Sequence, residues 1–158
     1  MTPRATEPGQ AAAAVELAAV RLLAVREHSR HELRRKLSDR GHDSGLTDEV
    51  LDALVRRRLL SDERFAAQYL AQRMRKGFGP LRIRAELAAR GVAEQLIAAT
   101  LETACCDWED RLAEAASRRF GERPARDPRE LARRGRFLEQ RGFPISLIRR
   151  HLDRSSGS

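Results

Sequence analysis

Arginine is the residue type through which this chain could act on another molecule. Of its 31 basic side chains 29 are Arg, only Lys36 and Lys76 excepted, and against 23 acids they leave a formal charge of +8 over 158 residues. A guanidinium stays protonated at any physiological pH and offers a planar fork of donors to carboxylates and phosphates. The chemistry it suits is recognition of anions, not proton transfer. The charges are unevenly spread. Between Arg73 and Arg90 there are six basic residues (Arg73, Arg75, Lys76, Arg82, Arg84, Arg90) against one acid, Glu86. From Arg118 to Arg154 there are twelve against five, with Arg133, Arg136 and Arg141 in the middle, whereas residues 94–114 carry six acids and one arginine. A solvated helical surface would intersperse the signs, as pairing four residues apart favours. The nine named cations are therefore the candidate partner-binding residues, set to meet DNA phosphate or an acidic protein face. Arg82 and Arg84 also open a helix, where the macrodipole disfavours cations by a few tenths of a kcal/mol.

The other chemistry-bearing types do not assemble into a reaction centre. His28 and His31 are three residues apart with a helix break between them and no third ligand in view. Gly77-Phe78-Gly79 lacks the Lys-Ser/Thr that a phosphate loop requires. Asp62 and Glu63 suit the first turn of a helix, where they complement its dipole. Cys105 and Cys106 are adjacent, which does not favour a relaxed disulfide, and no Cys-x-x-Cys spacing exists. They fit a reducing cytoplasm. Only seven residues are aromatic, at core-like spacings, so Trp108 is expected in the core and base-stacking platforms are scarce. Catalytic residues, metal and cofactor are all expected to be absent. Ala11–Leu23 is apolar but interrupted by Glu16 and Arg21, so neither membrane insertion nor export is expected.

What must position the arginines is a set of helices with a repeat. Leu-x-x-Arg-Gly occurs at Leu37–Gly41, Leu87–Gly91 and Leu138–Gly142, with starts 50 and 51 residues apart. An aliphatic residue precedes the first two leucines by four (Leu33, Ile83), and Val92 and Phe143 follow the last two glycines. A period near 50 marks stacked supersecondary units, each too small to bury a core alone. Strand alternation is absent, and caps divide the chain into about nine helices. Ser29 and Glu32 form a capping box. Thr47 caps the third helix, Ser61 the fourth, Pro80 opens the fifth, and Asp127-Pro-Arg-Glu130 opens the eighth. The predicted fold is all-α, an elongated, curved array of three tandem three-helix repeats over 10–60, 61–104 and 105–153. Disordered tails are expected at 1–9 and 154–158. Gly41, Gly91 and Gly142 are expected to be left-handed helix stops.

These segments resemble a known family. Ala24-Val-Arg-Glu-His-Ser-Arg-His-Glu-Leu-Arg-Arg-Lys-Leu37 is similar to the opening signature of the RecX family, regulators of the RecA recombinase. So are Leu60-Ser-Asp-Glu-Arg-Phe-Ala66 with Tyr69 and Arg73, and Gly77-Phe-Gly-Pro-Leu-Arg-Ile-Arg-Ala-Glu-Leu87 with Gly91. Trp108 falls where the family places a tryptophan, and Arg136-Phe-Leu-Glu-Gln-Arg-Gly-Phe143 resembles its C-terminal signature. The likeness spans about residues 18–153. Met74-Arg-Lys-Gly is denser in cations than the family pattern, and residues 122–126 read as an insertion.

The resemblance implies a non-enzymatic, cytoplasmic regulator. It would bind the RecA–DNA filament, with direct DNA contact left open, and limit recombinase, ATPase and co-protease activity in DNA repair and the SOS response. A monomer is expected. The alternative from the residues alone is a helical, arginine-rich protein acting directly on DNA, because three-helix units with basic faces resemble helix-turn-helix domains.

Overall fold

A computed structural model of the chain describes residues 7–104 and 107–157. Among them all regular structure is helical: α1 (Pro8–Val25), α2 (Arg30–Asp39), α3 (Ser44–Arg56), α4 (Asp62–Arg75), α5 (Pro80–Ala89), α6 (Glu94–Thr103), α7 (Trp108–Phe120), α8 (Pro128–Gln140) and α9 (Ile145–Ser156). The adjacent Cys105 and Cys106 lie outside the described residues, as do residues 1–6 of the expected N-terminal tail. The helices fall into two compact units. One holds the chain up to Gln68 together with Arg90–Val92; the other holds Tyr69–Ala89 and the chain from Ala93 onward.

In the first unit α1, α2 and α3 pack on one another around Val15, Ala19, Leu33, Leu37, Leu51, Leu54 and Leu60. Each large aliphatic removed from water there contributes ~1.5–3 kcal/mol. Pro8 stands at the first position of α1, where its missing N–H is no loss, so the helix begins two residues inside the expected tail. By length and apolarity α1 meets the bare requirement for a membrane span. Its Val15 and Ala19 are nevertheless core residues, and Glu16 bonds Arg57 of α3's C-cap. These make it a structural helix of this unit. At the next start, Ser29 Oγ accepts from Glu32 N at 3.1 Å, as the capping box requires. The third start differs from expectation. Asp43, not Thr47, caps α3, with Oδ2 accepting from Leu46 N at 2.9 Å, while Thr47 is buried inside the helix. Both residue types cap well; Asp43 gains an extra turn of helix and leaves Thr47 to fill core volume.

His28 closes the corner between α1 and α2. It is 1% exposed, its Nδ1 lies 3.0 Å from Arg26 O, and its Nε2 lies 2.8 Å from Lys36 Nζ. A neutral ring with the proton on Nδ1 satisfies both contacts, donating to the carbonyl and accepting from the ammonium. Burial holds its pKa below the ordinary imidazole value; the Arg26 carbonyl opposes the shift, and the charges of Arg26 and Lys36 add to it. With its acceptor nitrogen engaged, His28 has nothing left for a metal.

In the second unit α7, α8 and α9 pack around Leu112, Ala115, Ala116, Leu138, Phe143 and Ile148, with Trp108, Phe120 and Phe137 partly buried against them. Asp127 caps α8, accepting from Glu130 N at 2.8 Å, and the Glu130 carboxylate reaches back to Arg126 N at 3.0 Å. Held by that N–H and by Arg134, the Glu130 carboxyl falls to about 2. Helix α9 continues to Ser156, through residues expected as tail, because Ser155 turns its hydroxyl onto His151 O and no breaker intervenes before Gly157. Ile145 is 51% exposed in α9's first turn.

The repeated motif does the same work each time. Leu37, Leu87 and Leu138 are fully buried, and Gly41, Gly91 and Gly142 have φ of 87°, 78° and 95°. Their surroundings differ. A β-carbon on Gly41 would meet nothing within 4 Å, whereas one on Gly91 would lie 2.3 Å from His31 Cβ. Gly41→Ala is therefore expected to lose only the ~1–2 kcal/mol of left-handed strain. Gly91→Ala adds overpacking of ~1–3 kcal/mol. Urea denaturation of the two variants should separate them in that order.

A pH effect follows from His28. Because its folded pKa is depressed, its contribution is fully present above the unfolded value near ~6.5 and is lost as pH falls from there towards the folded value. Between pH 7.5 and 5.5 wild type should lose more stability than His28→Gln, measured by thermal melts at each pH.

Candidate functional site

The link between α4 and α5, Lys76–Gly79, is clamped to the turn between α8 and α9. Gly79 N donates to Arg141 O at 2.7 Å and Leu81 N donates to Gly142 O at 3.0 Å. The approach is close enough that a β-carbon on Gly79 would fall 2.5 Å from Gly142 O. Arg82 Nη1 adds a bond to Gln140 O at 3.0 Å, and Arg141 Nη1 returns one to Lys76 O at 3.1 Å. The loop thus holds Phe78 where three guanidinia converge on its ring. Their central carbons lie 3.7 Å (Arg73), 4.5 Å (Arg82) and 4.6 Å (Arg141) from the ring centre.

Glu86 supplies the counter-charge. It accepts from Arg73 at 2.7 Å, from Arg82 at 3.0 Å and from the Tyr69 hydroxyl. Burial pushes its carboxyl up, but the hydrogen bonds from Tyr69, Arg73 and Arg82 outweigh this and hold the pKa below the usual value. The group stays ionised at neutral pH.

From Phe78 the pattern continues as an alternation of arginine and phenylalanine. Arg141 also lies over Phe137 at 5.0 Å, and Arg119 lies over Phe137 at 5.8 Å and Phe120 at 5.4 Å. Phe120 and Phe137 meet edge to face with centres 5.3 Å apart. Arg133 and Arg134 lie over Phe120 at 5.7 Å and 5.1 Å. Arg118 donates to Arg75 O at 3.2 Å. Together with Arg141 it therefore satisfies carbonyls at the C-terminal end of α4, where the helix dipole favours cations.

The structure thus gathers six of the nine expected residues: Arg73, Arg75, Lys76, Arg82, Arg133 and Arg141. They are not equivalent. The Arg73 side chain is only 16% exposed, and Arg82 and Arg141 hold the loop in place, so these three are structural as well as basic. Arg75, Lys76 and Arg133 are exposed and form no ion pair with the described residues. The other three lie apart. Arg84 pairs with Glu94 at 3.4 Å, the Arg90 carbonyl accepts from Ser29 Oγ in the first unit, and Arg136 is an exposed residue of α8 without a described contact to the aromatic line. Arg118, Arg119 and the three phenylalanines were not among the expected residues. Phe137 stands four before Arg141, a spacing that brings ring and cation together on one helix face, whereas Arg119 and Phe120 are adjacent, a spacing that carries no such signal.

Chemically the surface is a set of fixed positive charges suited to holding anions. Among the described residues no group of three metal-ligating side chains is placed to hold an ion. Fold and surface together define a class: an all-helical array of three-helix modules presenting arginine, suited to binding rather than turnover.

Three family models match the chain in tandem: the first three-helix domain of RecX over residues 17–54, the second over 61–101 and the third over 107–152. The chain belongs to the RecX family of regulatory proteins, which are not enzymes. It is 45% identical to the regulatory protein RecX of Halorhodospira halophila over 144 residues, covering 91% of this chain and 89% of that one. With the RecX of Chromohalobacter salexigens identity is 46% over 131 residues, 83% and 86% of the two chains. The crystal structure of RecX from Lactobacillus salivarius shares the fold with a TM-score of 0.75 at 20% identity, covering 92% of this chain and 98% of that one.

Phe78→Leu keeps the volume of the loop but removes the ring. Losing three cation–π contacts of ~0.5–1 kcal/mol each should lower stability by about 1.5–3 kcal/mol. Phe78→Trp should retain it, as read by chemical denaturation.

Proposed function

We propose that this chain binds the RecA–DNA filament through the arginine–phenylalanine surface of its second unit and so restrains RecA. The activities limited are recombinase, ATPase and co-protease function, in DNA repair and the SOS response. It acts in the cytoplasm, as a monomer and without a cofactor. Membership of a family of regulatory proteins supports the regulatory role. The observation that carries the choice of surface is the convergence of α4, α7 and α8 ends on one aromatic line. It leaves Arg75, Lys76, Arg119 and Arg133 pointing charge at solvent without an ion-pair partner among the described residues. A filament of protein-coated nucleic acid offers phosphates and carboxylates to such a surface.

A second reading is direct action on DNA. The same exposed cations favour it, since phosphate neutralisation needs only charge on a fixed scaffold. Salt separates the two readings. Binding through Z phosphates weakens as about the 0.9Z power of salt concentration on duplex DNA and about 0.7Z on single strands, with no need for RecA.

The test uses RecA-coated single-stranded DNA and follows ATP hydrolysis and filament length. Arg75→Glu combined with Lys76→Glu is expected to melt within a few degrees of wild type, because neither side chain holds the fold. It should inhibit roughly tenfold less, the factor for ~1.4 kcal/mol of lost interaction. Undiminished inhibition would remove this surface from the contact. Arg82→Glu is expected to destabilise the chain, since it severs Glu86, Gln140 O and Phe78 at once, whereas Arg84→Glu loses only an exposed pair of ~0–1 kcal/mol.

A further inference from the structure

Six described residues have a left-handed backbone; five are glycines, at 41, 77, 91, 121 and 142, and the sixth is Arg58, with φ of 60°. Arg58 follows the C-cap of α3. Its N–H donates to Val55 O at 3.0 Å, and Leu59 N donates to Leu54 O at 2.9 Å, the hydrogen bonds of a helix stop that ordinarily uses glycine. A β-carbon in this conformation is strained. Strain at a residue that the fold does not require is a mark of functional positions.

The helix stop itself serves the fold, turning Leu60 into the core, but nothing in it uses the arginine side chain that bears the strain. The neighbouring Arg57 bonds Glu16, Arg64 bonds Glu27 at 2.8 Å and Arg30 bonds Asp52 at 2.7 Å, whereas the Arg58 guanidinium forms no ion pair or hydrogen bond with the described residues. Two aliphatic residues close to it in the chain face water: Val55 is 44% exposed and Leu59 40%. Beside them lies a hollow of about 580 Å³, whose lining includes Val55, Arg58, Leu60, Asp62 and Glu63.

An arginine between exposed aliphatics is the composition of a protein–protein anchor point. It does not suit nucleic acid. Arg30 and Arg64 also line the hollow but are already paired, with Asp52 and Glu27, so Asp62 and Glu63 leave Arg58 too little uncompensated charge for a run of phosphates, while its fork accommodates a single carboxylate in two hydrogen bonds. We propose that the corner between α3 and α4 is a protein-docking site. There Arg58 receives one carboxylate from an otherwise aliphatic segment of the partner, and Val55 and Leu59 cover that segment's apolar side chains. The partner used to test this rests on the function proposed above: the docking segment belongs to the protein component of the filament and not to its DNA.

The experiment compares the full chain with Arg58→Gly and Arg58→Asn, both of which tolerate the left-handed backbone. Binding is measured to RecA-coated single-stranded DNA and to bare single-stranded DNA. Arg58→Gly should raise Tm by ~2–4 °C, and Arg58→Asn should not lower it. Both should bind the coated DNA roughly tenfold more weakly and leave binding to bare DNA unchanged. Arg58→Lys, which keeps charge but not the fork, should recover part of the loss. Wild-type affinity of Arg58→Gly for the coated DNA would overturn the docking site alone. So would an equal loss on bare DNA, which would make Arg58 a phosphate contact. A wild-type chain without affinity for the coated DNA would overturn the proposed function and this site with it.

Discussion

Bringing the guanidinia of Arg73, Arg82 and Arg141 onto one ring sets three positive charges against each other. At an effective dielectric near 20, two unit charges ~7 Å apart repel by about 2 kcal/mol. The cluster exists because each charge finds an offset. Glu86, ionised and within 3.0 Å of Arg73 and Arg82, attracts each more strongly than they repel each other, since the energy scales inversely with distance. The Phe78 quadrupole adds a smaller term to all three. Arg141 has no acid beside it among the described residues; it depends on Lys76 O and on two rings. The compensation is therefore greatest at the Glu86 end and weakest towards Arg141 and Arg119. That weaker end is where an incoming anion would lower the energy most.

The clamp that builds this cluster grows from a turn used three times for different ends. Leu37, Leu87 and Leu138 all anchor a helix in a core, and the glycine four residues on ends it in a left-handed residue. The environment around that stop then diverges. At Gly41 the stop faces open space, at Gly91 it lies against His31, and at Gly142 a β-carbon would strike Arg82. The arginine of the motif diverges too: Arg90 lends its carbonyl to Ser29, while Arg141 lends its side chain to Phe78 and Phe137. Repetition specifies the helix stop, and the residues packed against it specify the use.

That division explains what could be read from the chain alone. Helix order, the buried leucines, the left-handed glycines and the capping box at Ser29 were legible because each depends on spacing within one turn or one period. The Asp43 start was misplaced because Asp43 and Thr47 are both competent caps, and only the core decides between them. The proposed binding surface was half legible. Charge counting found Arg73, Arg75, Lys76, Arg82, Arg133 and Arg141 but could not tell that Arg84 answers Glu94 or that Arg90 belongs to the other unit. It also assigned the phenylalanines to the core, since a ring half-covered by guanidinium has the same sequence spacing as one covered by leucine. Arg58 carried no signal at all: a left-handed arginine is invisible in a sequence that marks its other such positions with glycine.

Two ways of holding an arginine result, and they favour different partners. A stacked guanidinium such as Arg119 or Arg141 has already given up rotamer freedom worth up to ~2 kcal/mol, so binding through it loses little more entropy. Such a surface gains affinity from every anion that reaches it, whatever its source, and its response to salt reports how many do. Arg58 is held by its backbone rather than by a ring, one charge between two aliphatic side chains. Its contribution depends on a partner that covers Val55 and Leu59 while presenting a carboxylate at the right point, so it selects by shape where the stacked surface attracts by charge. A regulator of the kind proposed, which would have to find a nucleoprotein polymer among bare nucleic acid, would use both: attraction that any polyanion satisfies, and a contact that only the protein coat completes.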